Sequence, residues 1–173
     1  MTDLRRSNLP VAEPTETPYV GLVPYQEEDA DFFFGRDREI RIVTSNLRAH
    51  RLTILYGPSG AGKTSLLRAG VVHELRKEVL ARAGTHPDQA PFAVCTIAAW
   101  RDDPLLTLMS ATQDAACEAL GRSGEARWQP GTSVVRSLRA WTRRVRTLLI
   151  VLDQFEDYFL YHPDETEIGR AHV

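Results

Sequence analysis

A glycine-rich loop, residues 57–64, has the composition and spacing of a phosphate-binding loop. It reads Gly-Pro-Ser-Gly-Ala-Gly-Lys-Thr and satisfies the pattern G-x-x-x-x-G-K-S/T. Its glycines let the backbone turn so that successive N–H groups point at one anion, and the dipole of a following helix adds to the attraction. Lys63 would bring its ammonium to the β- and γ-phosphate oxygens, and the hydroxyl of Thr64 would ligate Mg²⁺. The predicted nucleotide-binding residues are Gly57, Pro58, Ser59, Gly60, Ala61, Gly62, Lys63, Thr64 and Ser65.

An acidic residue, Asp153, closes the longest apolar run of the chain. Residues 148–152 read Leu-Leu-Ile-Val-Leu, which has the form of a Walker B strand. Ligands of open α/β sheets bind at the carboxyl edge, so Asp153 would face the glycine-rich loop and hold Mg²⁺ directly or through water. An aspartate after a buried strand is common by itself, and only its pairing with the loop favours the metal role.

Two residues just beyond Asp153 are candidates for orienting or deprotonating an attacking water. The position directly after the aspartate is often a glutamate, and here it is Gln154. Glu156 is the nearest alternative carboxylate, whereas a glutamine such as Gln154 can itself position water, as in GTPases. Glu156 is preferred, and a polar exit from the strand with neither role is the alternative. Lys63 and Asp153 complete the predicted catalytic set.

The elements that must position these residues alternate between helix and strand. Apolar periodicity predicts helices over 36–49, from the glycine-rich loop through Leu75, over 104–120 and over 134–145. Strands are predicted over 52–56, 92–97 and 147–152, the last buried on both faces. This alternation indicates an α/β fold with a parallel sheet flanked by helices. Gly70, inside a helix, predicts close packing at that point.

Composition limits the functions that the chain can have. Its 173 residues suit about one domain, and 43% hydrophobic residues with a net charge of -2 favour a soluble globular protein rather than a disordered one. A chain that is not basic overall is not expected to bind nucleic acid, so the arginines of 136–146 read as a solvated helix face. No apolar run exceeds five residues, so no membrane association and a cytoplasmic location are expected. Cys95 and Cys117 are predicted to be reduced, buried thiols.

Four segments together resemble the STAND-type P-loop NTPases, signal-transduction ATPases with numerous domains, in a bacterial subgroup. The segments are 19–24 (Y-V-G-L-V-P), 28–39 (E-D-A-D-F-F-F-G-R-D-R-E), 56–70 (Y-G-P-S-G-A-G-K-T-S-L-L-R-A-G) and 149–163 (L-I-V-L-D-Q-F-E-D-Y-F-L-Y-H-P). The resemblance implies an ATP-dependent switch, with ATP and Mg²⁺ between the glycine-rich loop and Asp153.

The resemblance also implies roles for the residues before the first helix. In such proteins this segment folds near the base and ribose, so Phe34, Gly35 and Arg36 are candidate adenine-side residues. The alternative is that the three phenylalanines, residues 32–34, are only core and lie under an apolar cover. The absence of an N-K-x-D element from the sequence argues against guanine specificity.

Length is where the chain departs from that family. Residues 1–18 are expected to be a flexible leader, and 19–173 a P-loop NTPase domain truncated after the Walker B region. Family members have a further strand between the loop strand and the Walker B strand, so we expect an incomplete sheet with a gap or an open edge. Such a chain is expected to be only marginally stable on its own. Self-association would then depend on the missing C-terminal parts. The alternatives are a non-catalytic nucleotide-binding or interaction fragment and, least favoured, a small P-loop kinase, for whose lid there is no room.

Overall fold

The computed structural model describes residue 21 and residues 23–83, 90–121 and 128–163. The leader predicted over 1–18 lies outside these residues. A 3₁₀ helix at Glu27–Phe32 precedes six α-helices and two strands. In chain order these are α1 (Asp37–Ala49), α2 (Lys63–Ser65), α3 (His73–Ala83), β1 (Ala93–Ile97), α4 (Pro104–Ala119), α5 (Val134–Val145), β2 (Leu148–Leu152) and α6 (Glu156–Tyr161). A π-helical segment, Leu66–Val72, joins α2 to α3 without a break, and we call this whole run the loop helix.

The two strands form a parallel sheet. Ala93 lies opposite Leu148 and Ile97 opposite Leu152, with α4 and α5 in the connection between the strands. Parallel neighbours need such a crossover, because the chain must return to the same end of the sheet before the second strand begins. The predicted α/β class with a parallel sheet flanked by helices is therefore observed, and it is compatible with a P-loop NTPase-like fold.

The prediction of a strand over 52–56 is wrong. These residues form neither a helix nor a paired strand, and Leu52, Ile54 and Tyr56 are 76%, 73% and 89% exposed. A β-strand requires lateral hydrogen bonds to a neighbouring strand, and no strand of the described residues runs beside this segment. Its apolar, β-branched and aromatic residues favour a strand, but without a neighbouring strand they form none.

Strand β2 is buried on one face, not on both as predicted. Leu149 and Val151 point into the core, whereas Ile150 and Leu152 are exposed. Side chains alternate across a strand, and helix α4 covers only one side of β2. Within the described part of the chain, β2 pairs with β1 alone.

The core lies between the sheet, the loop helix and α4. Its fully buried side chains include Val71, Leu75, Met109 and Val145. Helix α1 packs against the π-helical segment at Gly70, where a Cβ would come within 2.7 Å of the Ile40 Cγ1. The close packing predicted for Gly70 is thus present, because only a hydrogen at this position leaves room for Ile40.

The cysteines follow the prediction in part. Neither forms a disulfide, and Cys95 is buried in β1, but Cys117 on α4 is only partly buried. Burial raises the pKa of the Cys95 thiol, although its contact with the Thr112 hydroxyl, 3.7 Å from the sulfur, acts in the opposite direction. Cys95 is therefore a protonated core residue.

None of the helices described is both long enough and apolar enough to cross a lipid bilayer.

Candidate functional site

The glycine-rich loop turns sharply into the loop helix. Gly60 and Gly62 have φ values of 76° and 78°, in the left-handed region that costs other residues free energy. The Leu66 N–H donates to the Gly62 carbonyl at 2.9 Å, which closes the first helical turn. The loop thus lies at the N-terminal end of a helix, where unpaired N–H groups and the helix dipole favour an anion.

Lys63 lies over its own loop. Its Nζ donates to the carbonyl oxygens of Gly57 at 2.9 Å and Pro58 at 3.1 Å. The ammonium is therefore held at the start of the loop by two neutral acceptors, and each of these bonds is weaker than one to a charged phosphate oxygen.

Thr64 and Asp153, the two predicted metal ligands, are in direct contact. The Thr64 Oγ1 donates to the Asp153 Oδ1 at 3.1 Å, although the residues are 89 positions apart in the chain. Asp153 continues the ladder of β2, since its N–H donates to the Ile97 carbonyl at 2.8 Å. The sheet therefore fixes the backbone of Asp153 at the carboxyl ends of both strands, as predicted, and the carboxylate reaches the loop helix.

The Asp153 carboxylate is buried and keeps spare acceptor capacity. The residue is 3% exposed. The Arg68 Nη2 lies 3.2 Å from its Oδ2, but this ion pair is not aligned as a hydrogen bond, and Oδ2 accepts none from the described residues. A carboxylate and a hydroxyl side by side, with a free lone pair, are the hard oxygen donors that Mg²⁺ prefers when phosphate oxygens and water supply the rest.

The residues considered for water activation lie after β2. Gln154 is exposed and has a φ of 52°, unusual for a residue other than glycine, and Glu156 begins helix α6 on the surface. Helix α6 was not predicted, because its six residues are too few to show a helical period. The roles of Gln154 and Glu156 stay predictions.

The predicted adenine-side segment lies beside the glycine-rich loop. The Arg36 Nη2 donates to the Ala61 carbonyl at 3.3 Å, and Gly35 turns with a φ of 80°. Phe34 is 79% exposed, so the expectation that an apolar cover lies over all three phenylalanine rings is wrong for this residue. Phe33 by contrast is half-buried and packs near Gly70.

The Ser65 side chain contacts the segment before the 3₁₀ helix. Its Oγ accepts the Tyr25 N–H at 3.1 Å, so the hydroxyl holds the segment before the 3₁₀ helix. Arg76 makes a second link to that segment through the Glu27 carboxylate, at 2.8 and 3.0 Å. Burial raises the pKa of Glu27 above its ordinary value of 4.5, and the charge of Arg76 opposes this only in part.

Two residues that support Asp153 were missed in the sequence. The Trp100 indole Nε1 donates to the Asp153 carbonyl at 2.8 Å, and Arg68 holds the carboxylate. A signal for Arg68 was present, because it follows Thr64 by four residues and so shares its helix face. Trp100 carried no comparable signal, since contact with Asp153 depends on the pairing register of β1 and β2.

The basic stretch on α5 lies elsewhere. A shallow cavity of about 400 Å³ runs along this helix, and no residue of the glycine-rich loop or of the Asp153 segment lines it. Its lining is Ser133, Val135, Arg136, Arg139, Ala140 and Arg143. Mostly exposed arginines on one helix agree with the solvated face that the sequence indicated.

The fold and these contacts define a class of protein. A parallel α/β sheet that brings an aspartate to the threonine of a G-x-x-x-x-G-K-T loop is typical of P-loop nucleotide-binding proteins. The family model of Novel STAND NTPase 1 matches residues 18–171, so the chain belongs to that family, and it is a nucleotide-binding module of an NTPase. No solved structure matches the chain significantly.

Proposed function

We propose that this chain binds ATP with Mg²⁺ as the nucleotide-binding module of a STAND-type regulatory ATPase. The observation that carries the proposal is the 3.1 Å contact between the Thr64 Oγ1 and the Asp153 Oδ1. It joins the two segments that the proposal needs, 89 positions apart in the chain, at a buried carboxylate whose Oδ2 accepts no hydrogen bond from the described residues.

The loop residues would bind the phosphates. The N–H groups of Gly60, Gly62, Lys63 and Thr64 would supply donors at the start of the loop helix, whereas that of Ala61 donates to the Pro58 carbonyl at 3.3 Å. Lys63 would exchange its two carbonyl acceptors for charged phosphate oxygens. Thr64 and Asp153 would hold Mg²⁺, which supplies charge neutralisation on the phosphates when bound. Arg36, which touches Ala61, and the exposed Phe34 ring are the residues proposed for the ribose and base.

Slow hydrolysis would couple nucleotide binding to a conformational switch. Water attacks the γ-phosphorus as the bond to the bridging oxygen breaks, ADP leaves, and the proton of the water passes to a carboxylate. Glu156 is the proposed acceptor, with Gln154 as the alternative that orients the water. A positively charged Lys63 stabilises the charge that develops on the transferred group.

The experiment compares the only two lysines of the chain. Lys63→Ala removes a charge-assisted contact worth about 1.5 to 3 kcal/mol, so it should weaken Mg·ATP binding by about 10- to 100-fold in calorimetry. Lys77→Ala is the matched control, because Lys77 is exposed on α3 and its only described ion pair is a loose one with Glu74, at 4.0 Å. The proposal fails if wild-type protein shows no magnesium-dependent ATP binding, or if the two variants bind Mg·ATP with the same affinity.

A non-catalytic interaction fragment is the second candidate. Its support is segment 52–56, which leads directly into the glycine-rich loop. This segment pairs with no described strand, and Leu52, Ile54 and Tyr56 are exposed, so it gives that side of the loop little support. Under this alternative, ATP with Mg²⁺ leaves the melting temperature unchanged while circular dichroism still reports a folded α/β chain. A rise in melting temperature that depends on both ligands favours the ATP-binding module.

A further inference from the structure

Arg68 connects the Asp153 carboxylate to the N-terminal segment of the domain. Its Nη2 lies 3.2 Å from the Asp153 Oδ2, and its Nη1 donates to the Gln26 Oε1 at 2.8 Å. Three quarters of the Arg68 side chain is removed from solvent, and the Asp153 side chain is 4% exposed. A single guanidinium therefore spans two parts of the chain beside the proposed metal ligands.

The two contacts of the carboxylate fix its orientation. Thr64 donates to Oδ1 and Arg68 is paired with Oδ2, so a rotation of the carboxylate would break at least one contact. The guanidinium suits this task because it is planar and presents its donors in a fixed fork. A buried carboxylate also needs a nearby opposite charge, and Arg68 supplies the one within ion-pair distance among the described residues.

Gln26 is itself held in place. Its Nε2 donates to the Pro24 carbonyl at 2.8 Å, and its backbone N–H donates to the Asp29 Oδ2 at 2.8 Å. Its neighbour Tyr25 is bound to Ser65 of the loop helix. The amide oxygen that receives Arg68 is thus part of an ordered turn, and it limits where the guanidinium can lie.

We infer that Arg68 is a positioning residue for magnesium, and that Gln26 positions Arg68. Arg68 aims the Asp153 carboxylate at Thr64 so that both ligands meet the ion in one arrangement. The inference rests on the proposed function, because it assumes that Thr64 and Asp153 hold Mg²⁺. Residues that orient a metal ligand change metal affinity by about 10- to 100-fold when they are replaced.

The test measures ATP affinity of the purified full chain across a magnesium titration and, separately, in EDTA. For Arg68→Gln we expect the half-saturating Mg²⁺ concentration to rise about tenfold, while ATP affinity in EDTA stays within about twofold of wild type. Arg68→Lys keeps the charge but loses the fork, so a smaller rise of about threefold is expected. Gln26→Ala should give about the same threefold rise, because Arg68 loses one of its two contacts.

Arg76→Gln is the matched control. Arg76 lies on the same loop helix and binds the same N-terminal segment, at Glu27, but it does not contact Asp153. We expect it to lower the melting temperature and leave the magnesium titration unchanged. A purely structural role for Arg68 predicts the same result for both arginine variants, and that outcome overturns the inference.

A double-mutant cycle separates this inference from the function on which it rests. In an Asp153→Ala background, Arg68→Gln should no longer change the magnesium titration, since the carboxylate that it positions is gone. A lower magnesium requirement in Arg68→Gln would mean that Arg68 competes with the ion, which also overturns the inference. If wild type itself shows no magnesium effect, the proposed function has failed first. If Arg68→Gln does not fold, Arg68→Lys and Gln26→Ala decide.

Discussion

The Trp100 indole donates its N–H to the backbone carbonyl of Asp153 across 2.8 Å, and it does so in a buried place. The same tryptophan packs edge-on against Phe155 and Tyr158, and its carbonyl lies 2.6 Å from the His162 Nε2. A single side chain, in the connection that follows β1, thus contacts both the end of β2 and helix α6. The backbone of Asp153 is held by Trp100, as its carboxylate is held by Thr64 and Arg68.

Trp100→Phe should destabilise the chain mainly through the loss of this bond, because phenylalanine keeps most of the ring contacts. It leaves a buried carbonyl without its donor, so the free energy of unfolding should fall by about 1 to 3 kcal/mol in urea titrations. Trp128→Phe is the control, since its Nε1 is buried and donates no hydrogen bond within the described residues. Equal losses for both variants would show that ring size, not the bond to Asp153, sets the effect.

Gly70→Ala should crowd the contact between the loop helix and α1. The added methyl would lie 2.7 Å from the Ile40 Cγ1 and 2.9 Å from its Cδ1. Overpacking costs about 1 to 3 kcal/mol, and the better helix propensity of alanine returns up to about 1 kcal/mol. We expect a net loss of about 1 kcal/mol by chemical denaturation. The loss should disappear when Gly70→Ala is measured in an Ile40→Ala background, and its persistence there would contradict the packing explanation.

Glu27 should make stability fall as the pH rises above 4.5. Burial raises its native pKa, so between the unfolded and native values the native state binds more protons than the unfolded state. The charge of Arg76 reduces this effect, while those of Glu28 and Glu118 add to it. Urea midpoints of wild type and Glu27→Gln, measured from pH 4 to about 7, should diverge with the wild type declining more steeply. Parallel curves would refute the raised pKa.

Cys95 and Cys117 should differ in reactivity toward an alkylating reagent in the native state. Burial raises the pKa of Cys95 and also excludes the reagent, whereas Cys117 on α4 is partly accessible. Mass spectrometry after iodoacetamide treatment at pH 8 should find Cys117 modified first, with Cys95 slower by roughly tenfold or more. In denaturant the two rates should converge, and a difference that survives unfolding would point to another cause.

Local pattern was enough to predict much of this fold. The apolar spacing of Ile40, Val43 and Leu47 gave α1 within a residue, and Pro104 marked the start of α4. Features that depend on distant neighbours were not predictable. Residues 52–56 have the composition of a strand but no described strand to pair with, and the π-helical turn at Leu66–Val72 accompanies the contact of Gly70 with Ile40.

In the candidate site, too, the residues could be predicted from local pattern, whereas their contacts with distant residues could not. The glycine-rich loop and Asp153 could be named from sequence because their residue types are tied to a chemistry. Their contact, and the help from Arg68 and Trp100, required β1 and β2 to pair in one register. Long-range support of this kind leaves only a weak trace in a single sequence, such as the four-residue spacing of Thr64 and Arg68.

Segment 52–56, which pairs with no described strand, makes the two sides of the glycine-rich loop unequal. Downstream, the amides of the loop helix are bonded and largely buried, so they should exchange slowly with deuterated water. Upstream, Leu52 to Tyr56 make no backbone hydrogen bond to another described residue, so their amides should exchange nearly as fast as those of an unfolded peptide. A ligand bound in the loop would therefore slow amide exchange mainly in the residues that precede Gly57.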